Sequence, residues 1–438
     1  LDFCFLKFNS NQTTTLKQKI QTILKSDFFR KFSIYGFGQF FNLVTPLLLI
    51  PYIVLVCGEE NFGKISVAIS ISFFLIVFID YGSELIGVRD ISINRNDVKK
   101  RDEIYLTNLC ARFFVLLFVI AISLLAIFCI PFLKQEATLY SLTLLVVIGQ
   151  YFNQSWFLQA VDNMVWISLS NIISKLIYLI GVLLLVTKPQ DYIYVNFYFG
   201  LGTLISSSIF TILIFKKYKI HFKLVSLQSV KQFLVNDFKI LSSQIFGAVQ
   251  LYSPVILVSI VGGNFVAGQY RIVEQIIVTF KTYIFLFFNF TYPRVCYDLA
   301  EKKLSIAKRN WSVINGANVL FVIFLMTVLF IYAEKIIVYF NGSDVLYLSS
   351  LLRVAVFIPI TLAISIALKQ LILAFDYQKK YVFITAISVI LSTMGIYFSY
   401  KSYKLYGAFY SLIIVEVIVI LFYLFCILRK NHFLDKNA

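Results

Sequence analysis

Histidine and cysteine are scarce in this 438-residue chain, and the few present are scattered. The histidines are His221 and His432; the cysteines, Cys4, Cys57, Cys110, Cys129, Cys296 and Cys426, share no paired spacing and sit mostly in apolar segments. A disulfide framework or a metal site needs clustered ligands, so neither is expected, and no cofactor is called for. Charge is also sparse: 14% of residues are charged, and 22 acids stand against 39 Lys and Arg. No loop is long enough to fold into a domain of its own, which argues against an enzyme built on a soluble catalytic domain. Residues 1–31 lack a signal-peptide core followed by a small-residue cleavage site. Leu1 stands where Met is usual, which points to an unusual start codon or a misplaced start and leaves open whether residues 1–15 are native.

What the chain has is apolar length. Hydrophobic residues make up 60% of it and the mean hydropathy is +0.84, too much apolar surface for a soluble fold to bury. Roughly twelve stretches of about 20–25 residues recur, each long enough to cross the ~30 Å hydrocarbon core as a helix. They fall near 32–56, 65–86, 104–130, 138–160, 165–187, 192–215, 240–261, 265–293, 311–333, 346–371, 381–400 and 407–428. In lipid every backbone polar group must be satisfied internally, and these stretches are too long for barrel strands, so an all-α polytopic membrane protein is expected.

The net charge of +17 reflects topology and not nucleic acid, because the basic residues flank spans and form no patch with stacking aromatics. With the N-terminus inside, the predicted cytoplasmic segments hold 27 Lys and Arg against 6 outside. That bias sets both termini in the cytoplasm. The longest inner connection, 216–239, reads as a basic amphipathic segment on the membrane face.

The chain also matches itself. Ser26-Asp27-Phe28, Gly36, Pro46, Gly58 and Gly63 are echoed in order by Asn236-Asp237-Phe238, Gly247, Pro254, Gly262 and Gly268, at offsets of 204–211. Leu158 to Asp162 matches Ile372 to Asp376 at 214. Gly and Pro are frequent in membrane helices, but matches in this order suggest two parallel six-helix halves with substrate held between them. The domains expected are a cytoplasmic segment 1–31, an N-lobe 32–215, a linker 216–239, a C-lobe 240–428 and a tail 429–438.

Ten charges fall within or at the margins of these spans: Asp80, Glu84, Arg112, Lys175, Arg271, Glu274, Lys281, Arg353, Lys369 and Glu416. A charge at a helix centre costs about 2.5–3.5 kcal/mol on insertion scales. Asp80, Glu84 and Lys369 lie near cytoplasmic ends, where snorkelling accounts for them. Arg112 and Arg353 are about two turns in and admit either reading. Lys175, Lys281 and Glu416 are near the midplane and favour a cavity role. Arg271, Glu274 and Lys281 share one helical face, which would attract an anionic group such as a phosphate or else simply pack helices through a closed salt bridge.

The pattern of Gly36, Pro46, Pro51, Gly58, Phe62-Gly63, Asp80-Tyr81-Gly82 and Arg89 resembles the N-terminal signature of Wzx-type polysaccharide flippases. These belong to the multidrug/oligosaccharidyl-lipid/polysaccharide exporter superfamily. Trp156-Phe157-Leu158-Gln159 with Asp162, Asn163 and Met164 is similar to a further family stretch, with Ala160 for Gly and Asp162 for Glu. Ala267-Gly268-Gln269-Tyr270 with Glu274, and Tyr292-Pro293-Arg294, resemble the ends of the family's eighth helix, although Arg271 replaces a small residue. The likeness covers about residues 26–430. It implies two six-helix lobes around a central cavity, opening alternately to either side. It further implies transport of a polyprenyl-pyrophosphate-linked oligosaccharide to the outer leaflet of the bacterial inner membrane for O-antigen or capsule, without covalent chemistry. Membrane lipids and glycan polymerase machinery would be the partners, and nucleic acid none.

Such a substrate calls for a cationic lumen, with Lys175, Arg271, Lys281, Arg353 and Arg112 as candidates to line it and Glu274 and Glu416 to bind a coupling proton or sodium ion. A cation-coupled multidrug exporter of the same superfamily is the alternative, but it should present acids in the cavity. A lipid II flippase should carry two more helices, and a glycan polymerase or ligase a sizeable outer loop.

Overall fold

The computed structural model describes residues 27–220, 225–300, 304–375 and 377–434. Residues 1–26 of the predicted N-terminal segment, His221 and Lys223 in the linker, Asp376 in the second half-match and Lys436 in the tail lie outside it. The described residues form helices and turns with no strand, in the order α1 (Asp27–Asp80), α2 (Val98–Cys129), α3 (Ala137–Phe152), α4 (Met164–Leu185), α5 (Val195–Tyr218), α6 (Leu227–Gly262), α7 (Asn264–Ala300), α8 (Leu304–Ile331), α9 (Val345–Ala355), α10 (Phe357–Ala374) and α11 (Gln378–Leu434). Short helical pieces join several of them.

Nine helical runs among the described residues are long and apolar enough to cross a membrane, so the chain is a multi-pass membrane protein. Two runs are long enough for two passages each, Gly36–Asp80 with 45 residues and Gln378–Arg429 with 52. Both are broken by one non-helical residue, Gly58 (φ 79°, ψ 164°) and Lys404 (φ 49°, ψ −134°). The predicted span 138–160 is divided into α3, of 16 residues, and the short helix Ser155–Ala160. The predicted span 346–371 bends at Val356, between α9 and α10. Residues 227–239, predicted as linker, are the first turns of α6.

The internal repeat needs one correction. Gly263 (φ 86°, ψ 171°), and not Gly262, has the conformation of Gly58. A positive φ with an extended ψ is open almost only to glycine, so both breaks need it. The equivalence therefore runs at an offset of 205, the same that separates Gly63 from Gly268.

One apolar core runs through both halves, from Leu49, Ile53 and Val67 on α1 through Tyr270, Ile272 and Val273 on α7 to Leu351 and Leu352 on α9. α7 packs along α1, and α6 packs against both α1 and α2. Smaller clusters lie under Trp156 and Phe157 in the first half and around Ile372 and Tyr423 in the second. Phe118, Leu125, Leu184, Leu320 and Phe324 stand outward and exposed, a band that in a bilayer meets lipid.

Candidate functional site

The first wall of the site is a pocket of about 130 Å³ between α1, α3, α4 and α5, lined by Asn42, Phe73, Gln150, Asn153, Asn171, Lys175, Phe199 and several small hydroxyl side chains. Helical spacing builds it: Asn171 and Lys175 are one turn apart on α4, as are Ser170 and Ser174 beside them. The hydroxyls of Ser170 and Ser174 bond across to Ser206 and Thr203 of α5 and hold the two helices together. Lys175 Nζ sits 4.2 Å above the Phe199 ring. No carboxylate among the described residues pairs with it, and its charge rests on the π face of Phe199.

Behind the pocket lies a buried ion pair. Arg112, with its side chain 0% exposed, donates to the carbonyls of Ile79 (3.0 Å) and Gln150 (3.1 Å) and to Asp80 Oδ1 (3.4 Å). Gln150 Nε2 donates to the same carboxylate at 3.2 Å while the residue lines the pocket. Arg112 thus fastens α1 to α2 and α3, while its Nη1 is buried without a hydrogen-bond partner among the described residues. Arg353 pairs with Glu334 at 2.8 Å near the loop that joins α8 to α9, and both side chains are partly exposed. Lys369 lies over the rings of Phe288 and Tyr381.

The opposite wall is α7. Arg271 Nη1 meets Glu274 Oε2 at 2.7 Å, and Tyr270 Oη donates to Glu274 Oε1 at 3.4 Å. Glu274 is buried, while the Arg271 side chain keeps 20% of its surface. Arg271 lies within electrostatic reach of Tyr178 on α4 and Tyr252 on α6. Lys281, ten residues further along α7, makes no ion pair among the described residues and feels the charges of Glu274 and Glu416. Glu416 hydrogen-bonds Ser365 and feels Lys281 and Lys369.

Aromatic rings join the two walls. Tyr178 packs on Phe199 (5.2 Å between centroids), Phe199 on Phe73 (6.0 Å) and Phe73 on Tyr252 (5.6 Å). Lys175 lies on this chain of rings, and Arg271 is within electrostatic reach of its two ends, Tyr178 and Tyr252. Of the seven candidates, Lys175 lines the first-half pocket, Arg271 pairs with Glu274 on α7, Lys281 and Glu416 are within electrostatic reach of each other in the second half, and Arg112 and Arg353 are held in ion pairs with Asp80 and Glu334. The pocket amides Asn42, Gln150, Asn153 and Asn171 were not foreseen; uncharged amides inside apolar spans are the signal that marks them. Among the described residues no three His, Cys, Asp or Glu side chains gather as a metal site requires.

Known proteins carry the same architecture. A protein of Escherichia coli (strain K12) named "Putative O-antigen transporter" is 23% identical over 393 residues, 86% of this chain and 91% of that protein. The inward closed conformation of the lipid II flippase MurJ superposes with a TM-score of 0.68 at 16% identity, over 90% of this chain and 87% of the other. An inward-facing multidrug resistance transporter of the MATE family, MOP superfamily, gives 0.67 at 13% identity, over 90% and 100%. The fold is thus the two-lobed helical fold of that superfamily, arranged around a central cavity. With residues 28–296 matched by the family model described as "Polysaccharide biosynthesis protein", the chain belongs to the polysaccharide biosynthesis protein family.

Proposed function

We propose that the chain is a flippase that carries a polyprenyl-pyrophosphate-linked oligosaccharide from the cytoplasmic to the outer leaflet of the inner membrane, for an O-antigen or capsule-type glycan. What supports this reading is the set of basic side chains on α4 and α7: among the described residues Lys175 and Lys281 lack carboxylate partners, and Arg271 keeps an open edge. A pyrophosphate is an acceptor-only anion and matches ammonium and guanidinium donors. A cavity for cationic drugs would need the reverse, and here both acids, Glu274 and Glu416, are already bonded by neighbours.

In this reading twelve passages form lobes 32–215 and 240–428, both termini lie in the cytoplasm, and the lipid tail stays in the bilayer while the head crosses between lobes. Outward movement of a pyrophosphate is favoured by an inside-negative potential, at about 2.3 kcal/mol per charge per 100 mV. Glu274 and Glu416 are the acids within these spans that would take up a coupling proton or sodium ion. Glycan polymerase machinery would receive the product.

Deleting the gene in its host, with a plasmid copy as control, tests the reading. Repeat units trapped on the inner leaflet and lost surface glycan, both restored by the plasmid, are expected. Unchanged glycan in a strain with no second flippase gene would remove it.

A further inference from the structure

The pocket between α1, α3, α4 and α5 has a chemistry of its own. A pyrophosphate accepts hydrogen bonds and cannot donate, so a site built for it would present donors only. This pocket presents amides, which both donate and accept, together with hydroxyls and the faces of Phe73 and Phe199. That mixture matches a pyranose, whose hydroxyls donate and accept around its rim and whose C–H faces lie well on aromatic rings. At about 130 Å³ the pocket has the room of one sugar ring and not of an oligosaccharide.

Several of the lining groups are committed to the protein. Gln150 is held by Asp80 and Asn153, and Ser174 by Thr203. Asn171, Ser207 and Lys175 have no hydrogen-bond or ion-pair partner among the described residues, and all three face the pocket. An ammonium enclosed by neutral amides is costly unless an anion joins it. On α7, Lys281 makes no ion pair among the described residues and Arg271, paired with Glu274, keeps an open edge, and these two are left for the pyrophosphate.

We infer that this pocket is a monosaccharide subsite that selects a sugar bearing a carboxylate, with Lys175 pairing to that carboxylate and Asn171 to neighbouring hydroxyls. The inference rests on the flippase reading and adds to it the substrate class, a glycan containing an acidic sugar.

The test uses purified full-length protein in proteoliposomes and three lipids: a polyprenyl diphosphate bearing a terminal hexuronic acid, the same lipid bearing a neutral hexose, and the lipid diphosphate without sugar. Wild-type protein should bind the hexuronic acid lipid about tenfold more tightly than the hexose lipid. Lys175→Gln should bring that ratio to about one, whatever it does to absolute affinity, and Lys175→Arg should keep it. Asn171→Ala should shrink the advantage of the hexose lipid over the bare lipid. A wild-type ratio of one, or one unchanged in Lys175→Gln, overturns the subsite while leaving the flippase reading standing if the bare diphosphate still binds. Failure of all three lipids to bind overturns both.

Discussion

Gly63 and Gly268, equivalent positions in the two halves, meet backbone to backbone where α1 and α7 cross. A Cβ on Gly63 would lie 2.8 Å from Gly268 N and collide with the Asn264 carbonyl oxygen; one on Gly268 would collide with the Glu59 carbonyl oxygen. The halves can approach this closely only because neither residue has a side chain. The contact sits beside the Gly58 and Gly263 breaks, on the side that the orientation proposed above would set outward. It brings the two halves into direct backbone contact there.

Enlarging either residue should therefore separate the lobes on that side. Gly63→Ala and Gly268→Ala are expected to raise the labelling of a cysteine placed at Asn171 by a membrane-impermeant thiol reagent added from outside, in a background free of native cysteines. A shift of about 1.4 kcal/mol in the equilibrium would give a tenfold increase. Unchanged labelling at normal membrane abundance would mean that the crossing tolerates a methyl group and does not govern access.

A second fastening on the same side has its origin in proline chemistry. Pro51 has no N–H, so the Leu47 carbonyl loses its partner one turn along α1, and Tyr339 Oη from the other half donates to it at 3.3 Å. Asn341 Nδ2 donates to the Pro51 carbonyl at 3.0 Å, and Glu59 Oε1 accepts from Ser343 N at 2.5 Å. Tyr339→Phe should lower stability by about 0.5–1.5 kcal/mol. In a Pro51→Ala background, where the helix supplies its own N–H to Leu47, the same change should have almost no effect. A double-mutant cycle on thermal unfolding in detergent measures this, and equal losses in both backgrounds would dismiss the proline origin.

Apolar length placed the helices well, since a backbone in lipid has few alternatives and each of the twelve stretches falls on helical structure. Orientation around the helix was not legible from depth alone. Arg112 lies about two turns into its span, yet its acceptors come from α1 and α3, and no local pattern in α2 announces them. The ion pair of Arg353 was not legible for a simpler reason: its partner Glu334 sits just past the preceding span and reaches back. The pocket amides escaped because a charge scan passes over neutral residues. The shared face of Arg271, Glu274 and Lys281 was visible because helical geometry fixes it within one element.

The placement of Arg112 makes a distinct prediction. Removing one partner of a buried pair leaves the other charge without compensation, so Arg112→Ala should destabilise the protein by about 3–5 kcal/mol. The expected phenotype is loss of folded protein from the membrane. Replacing both partners, as Arg112→Met with Asp80→Asn, should recover much of that loss. Normal abundance of Arg112→Ala with a defect confined to transport would return Arg112 to the cavity.

Lys281 and Arg271 should behave in the opposite way, although not identically. Lys281 makes no ion pair among the described residues, so Lys281→Ala strands no buried acid in direct contact there and should leave membrane abundance within about twofold while lowering transport tenfold or more. Arg271→Ala uncovers the buried Glu274 carboxylate, which retains only the long hydrogen bond from Tyr270, and should cost stability as well as transport. Adding Glu274→Gln to Arg271→Ala removes the stranded charge and should restore abundance but not transport. Quantitative immunoblotting of membranes beside a surface-glycan assay separates the two effects. If Lys281→Ala makes normal glycan at normal abundance, and the Arg271→Ala/Glu274→Gln pair does the same, α7 serves packing alone and its charges form a closed stripe that never meets the substrate.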